Sequence, residues 1–154
     1  MINKIIKYLP WAERVFLIFL VAGAILIYFE VNTQLLQLSV LALAIIFFLS
    51  AFKIIDIPRK EDEQFGFLDL LAFTIAPKVL WIGSAVSLFG FFIYLLQLGH
   101  SGHERGLMSG ALGIISGLLI IGVAFISGTK HLKFIVPILL RAIPVAIVDL
   151  YLLF

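Results

Sequence analysis

Arg141 and Asp149 are the residues whose setting most invites chemistry, because they are the only charges in the apolar stretch from Phe134 to Phe154. An arginine inside a bilayer must be paired, wetted, or stretched towards the headgroups. Asp149 follows Arg141 by eight residues, which on a helix is about 12 Å along the axis and about 80° around it. That is too far for easy pairing within one straight helix, although Pro144 between them can bend it. Two readings therefore stand. Either the stretch lies shallow and both groups reach headgroups, or Arg141 meets an acid from a partner subunit or lines a polar cavity.

His100, His103 and Glu104 form a His-x-x-His-Glu cluster whose donors suit a metal ion with water completing the shell. The cluster falls in a glycine-rich turn and no upstream ligand completes it, so a solvated polar turn is expected and no metal. Ser84, Ser87, Ser109 and Ser116 lie in apolar runs, where serine hydroxyls usually bond to their own helix backbone or assist packing. No His and Asp are spaced to activate any of them. There is no phosphate-binding glycine loop and no cysteine, which removes disulfides, thiolate metal sites and a cysteine nucleophile. Neither an enzyme nor a cofactor is expected. Asp56, Glu63 and Asp69, the acids nearest a lipid-facing loop, sit in an ordinary solvated setting.

The elements that would position these groups are membrane spans. The chain has 154 residues, 63% hydrophobic and 13% charged, with a mean hydropathy of +1.20. A soluble domain carries about 25% charged residues, and this composition would leave apolar surface uncovered in water. No polar stretch is long enough to fold separately, so one integral-membrane helical domain is expected over 1–154. The net charge of +2 is too small to suggest nucleic acid as a partner.

Runs near the roughly 20 residues that a bilayer core requires place spans at about 11–31, 35–55, 79–98 and 107–127. Residues 65–76 are too short to span, and Pro77 is expected to end them as a helix lying in the interface. The hydrophobic tail 134–154 is expected to be embedded, as a fifth span or a re-entrant segment, because a surface helix would carry a broader polar face. The fold class is thus all-α: a polytopic membrane bundle of four transmembrane helices plus an embedded C-terminal helix. The spans carry no carboxylate or histidine near their centres. Glu30, Asp56 and Asp69 fall at membrane edges, which argues against an ion-conducting element, Asp149 excepted.

Lys4, Lys7 and Arg14 precede the first span, Lys53, Arg59, Lys60 and Lys78 lie between the second and third, and Lys130 and Lys133 follow the fourth. The other loops hold only Arg105. This bias puts the N-terminus in the cytoplasm, in a membrane of the bacterial inner-membrane kind. Trp11 and Trp81 are expected as anchors at the cytoplasmic ends of their spans.

Gly106, Gly110, Gly113 and Gly117 recur at helical spacing and share one face of the fourth span. Gly83, Ser87 and Gly90 form a shorter stripe on the third. Such stripes let backbones approach closely, either within one subunit or against another protein. Together with an arginine seeking a partner, they point to a non-catalytic subunit that stabilises or regulates a larger membrane complex. Its partners would be the lipid bilayer and other integral-membrane subunits. The alternative is a small oligomeric transporter or channel for an anionic or lipidic substrate, with Arg141 as its attractor.

Overall fold

In hydrocarbon every backbone N–H and C=O must be satisfied within the chain, and uninterrupted runs of Leu, Ile, Phe and Ala do so as helices. The computed structural model describes residues 2–29, 33–53, 66–97, 100–129 and 132–154. Its long helices are α1 (Ile2–Tyr28), α2 (Gln34–Ser50), α3 (Phe67–Leu95), α4 (His100–Ile126) and α5 (Val136–Leu153). The chain is an all-α membrane bundle. α1, α3, α4 and α5 are long and apolar enough to cross a bilayer, and α2 is a shorter apolar helix of 17 residues. Glu30, Asn32, the loop 54–65 with Asp56, Arg59 and Glu63, and the basic pair Lys130 and His131 lie outside the described residues.

α3 sits at the centre, packed against α2, α4 and α5, while α1 packs on α2. The core follows this arrangement. Val40, Leu43 and Phe47 of α2 meet Ala85 and Leu88 of α3, and Leu80 of α3 meets Ile114 of α4 and Ile138 of α5. Gln37 at the start of α2 donates to the Leu95 carbonyl at the end of α3, at 3.1 Å. This satisfies one of the carbonyls that a helix end leaves open.

The helix does not stop before Pro77. Of the segment 65–76, expected as a separate interfacial helix, residues 67–76 form the first turns of α3. Proline has no N–H and its ring crowds the carbonyl four residues back. The chain accommodates this with a π turn at Leu71–Ile75, where the Ala76 N–H donates to the Leu71 carbonyl. Ala72 and Phe73 of that turn pack against Ala124 of α4 and Ile135, so these turns belong to the bundle. Trp81 consequently lies about 21 Å along α3 from Phe67. It packs on Phe47 at 4.9 Å between ring centroids, whereas Trp11 is exposed.

α4 ends where Gly128 takes φ +74°, a left-handed conformation that costs glycine little. The Thr129 N–H then bonds back to the Ala124 carbonyl at 3.0 Å, closing the last turn.

Candidate functional site

The glycine stripes meet each other. A Cβ on Gly90 would lie 2.7 Å from the Leu107 backbone nitrogen, and one on Gly106 would lie 2.8 Å from the Gly90 Cα. Further along, a Cβ on Gly83 would lie 2.8 Å from the Ile114 nitrogen, one on Gly110 2.8 Å from the Gly83 carbonyl oxygen, and one on Gly113 3.1 Å from the Gly83 Cα. Gly117 faces the Leu80 side chain. α3 and α4 therefore form an antiparallel seam in which backbone touches backbone, gaining dispersion contacts that lipid cannot match. Gly23 on α1 makes a similar approach to Leu36 on α2, 2.8 Å from its backbone nitrogen to a built Cβ. The lone glycine carried no stripe that would announce it.

Ser87, grouped with those glycines by spacing, does something else as well. Its hydroxyl donates to the Asp149 carboxylate, joining α3 to α5 in the buried interior. Ser116 behaves as expected of a span serine and donates to the Leu112 carbonyl at 2.8 Å. The Ser84 hydroxyl is buried and makes no hydrogen bond among the described residues.

Arg141 finds its acid within the chain. Its Nε donates to Glu13 of α1, and the same pair is an ion pair. A terminal nitrogen of the guanidinium donates to the Pro137 carbonyl at 2.7 Å. The guanidinium carbon stands 6.0 Å from the Trp81 ring centroid, within range of a cation–π attraction. Glu13 is 6% exposed, while the Arg141 side chain keeps 35%. Both lie about 8 Å from the start of the apolar part of their helices. Glu13 is the residue that sequence reasoning missed. The signal lay in its helical register: Leu9, Glu13, Phe16, Leu20 and Gly23 line up on the inward face of α1, while Arg14 points outward. The span drawn from Trp11 takes in Glu13, but among Lys4, Lys7 and Arg14 the acid carries no signal of its own.

This ion pair stands between two cavities. The first, about 260 Å³, is bounded by α1, α2, α3 and α5. It is apolar, with Leu43, Phe91 and Val148 among its lining, apart from Glu13 and Arg141 at one end and Ser87 with Asp149 in its wall. The second, about 370 Å³, lies towards the Lys53 end of the bundle and adds Ser50, Lys53 and Trp81 to the same Glu13 and Arg141. Both are partly open. Among the described residues the backbones of α1 and α5 scarcely approach each other, so the ion pair bridges a crevice that helix packing does not seal.

Of the His100, His103 and Glu104 cluster, the His100 side chain lies outside the described residues. Among the described residues no group of three His, Cys, Asp or Glu side chains converges, and the His103 ring stands edge-on to Tyr94 at 5.3 Å. Comparison with known protein families, curated proteins and solved structures finds no match for the chain.

Proposed function

We propose that this chain is a small multi-pass membrane carrier that takes single-chain amphiphiles from the bilayer into the crevice between α1 and α5. The observation carrying this reading is the meeting of an apolar cavity and a more polar one at a single ion pair. An amphiphile needs that pairing, an apolar slot for its tail and fixed polar groups for its head. The cavity of about 260 Å³ is narrow beside pockets of about 300–1,000 Å³ that take drug-sized ligands whole, and it suits one tail rather than two. The lysine and arginine bias supports a bacterial cytoplasmic membrane with the N-terminus and the Lys53 end inside.

Titration of monoacylglycerol onto nanodisc-embedded protein, read by native mass spectrometry, tests this. Saturable binding is expected, and Val148→Trp, which fills part of the apolar cavity that Val148 lines, should weaken it at least severalfold. Absence of saturable binding, or indifference to Val148→Trp, overturns the reading.

A second reading is a non-catalytic subunit that stabilises or regulates a larger membrane complex. The glycine seam and Arg141 are engaged within the chain, so its support comes from elsewhere. Gly122 on α4 has nothing within 4 Å of a built Cβ, and Leu119 and Ile126 beside it are exposed. Another helix has room to approach there. Native mass measurement after mild extraction separates the two readings: a co-purifying protein lost in Gly122→Leu favours the subunit, and a lone monomer opposes it.

A further inference from the structure

We infer that the Glu13–Arg141 ion pair is an exchangeable septum: an anionic headgroup takes the place of Glu13 on Arg141, and α1 then parts from α5 to join the two cavities. The inference rests on the carrier reading and narrows its substrate to single-chain amphiphiles with a phosphate or carboxylate head.

Four observations carry it. Glu13 and Arg141 are the two residues that line both cavities, so the pair is the wall between them. Backbone contact between α1 and α5 is sparse among the described residues, and Val145 is the α5 side chain in the apolar cluster that includes Leu9, Phe16 and Leu20 of α1. A helix pair packed at so few points parts more readily than one sealed along its length. Arg141 retains 35% of its side-chain surface and Glu13 8%, so an incoming anion reaches the guanidinium first. The geometry of that group also suits the task, since a guanidinium carries five N–H donors in a planar fork that matches phosphate and carboxylate alike. Two of its nitrogens are engaged, by Glu13 and by the Pro137 carbonyl.

Exchange follows rather than simple addition. Two anions on one guanidinium at this depth leave a negative charge uncompensated, which a low-dielectric setting penalises heavily. The displaced Glu13 carboxylate has a second cation within the same space, because Lys53 lines the cavity on that side. The tail of the amphiphile enters the apolar cavity, and Trp81 stays against the guanidinium as a fixed wall. No covalent step is involved.

The experiment compares monoacylglycerol with monoacylglycerol phosphate, which differ only in the phosphate, on nanodisc-embedded protein. Wild type is expected to bind both and to prefer the phosphate. Glu13→Gln removes the competing anion while keeping an acceptor for Arg141. It is expected to tighten the phosphate ligand by about tenfold or more and to leave monoacylglycerol within about twofold. Arg141→Gln is expected to erase the preference. If wild type binds both ligands and Glu13→Gln weakens the phosphate ligand or leaves it unchanged, the pair is a fixed strut and the inference fails. If wild type binds neither, the carrier reading itself fails.

A measurement that keeps both charged residues guards against a variant that folds poorly. The chain has no native cysteine, so Trp11→Cys and Ile147→Cys, at exposed sites on α1 and α5 that line neither cavity, accept spin labels without further changes. The distance between labels is expected to lengthen with monoacylglycerol phosphate and not with monoacylglycerol. An unchanged distance at saturating phosphate ligand overturns the septum. Inorganic phosphate alone should change neither distance nor stability, and a response to it would assign the site to free anions instead.

Discussion

The Ser87 hydroxyl of α3 donates a hydrogen bond to the Asp149 carboxylate of α5, across 62 positions of sequence and inside the bundle. A buried acceptor left without its donor costs about 1–3 kcal/mol. Ser87→Ala should therefore destabilise the fold by about that amount, measured by thermal or denaturant unfolding in a fixed detergent. Asp149→Asn should cost less, because an amide still accepts from Ser87. If the Ser87→Ala loss persists in full in the background Asp149→Leu, the hydrogen bond is not its source.

The seam of α3 and α4 gives a sharper contrast. Gly90→Ala and Gly83→Ala force a methyl into backbone at 2.7 and 2.8 Å. Backbone cannot swing aside as a side-chain tip does, so each should cost about 1–3 kcal/mol. Gly122→Ala meets open space on the same helix as Gly110 and Gly113 and should gain up to about 1 kcal/mol from helix propensity. Equal melting temperatures for the three variants would contradict the packing described.

Removing one partner of the embedded ion pair should hurt more than removing both. Glu13→Ala leaves Arg141 without its acid. A fully buried pair broken in this way costs about 3–5 kcal/mol, and the partial exposure of Arg141 brings the expectation to its lower end or below. Glu13→Leu combined with Arg141→Leu should recover most of that loss, since an apolar pair of similar volume carries no unpaired charge. A double variant as unstable as the sum of the singles would show that the two side chains act independently.

Much of this molecule is legible in its sequence. The apolar runs announced helices in lipid, and the glycine spacing announced which faces of the third and fourth spans would allow close approach. Spacing groups Ser87 with Gly83 and Gly90, yet its bond to Asp149 is not legible there, because pairing between α3 and α5 depends on which helices become neighbours. For the same reason the partner of Arg141 could be described only as an acid from elsewhere. Glu13 was hidden by its neighbours, since a sequence window that counts Lys4, Lys7 and Arg14 as a basic flank treats the acid among them as incidental. Pro77 misled differently. Local rules end a helix before proline, but the bundle buries Ala72 and Ala76 before Pro77 and Leu80 after it, and tertiary packing prevails over the local preference.

The widened turn at Leu71–Ile75 takes up one residue more than an ordinary helical turn holds. Excise a residue there and the turn closes to the regular form, so the stretch from Phe67 keeps its face while Gly83 and Gly90 keep their grip on α4. The same excision after Pro77 would rotate the glycines into lipid and open the seam. The chain thus carries a built-in tolerance for length change on one side of a proline and none on the other.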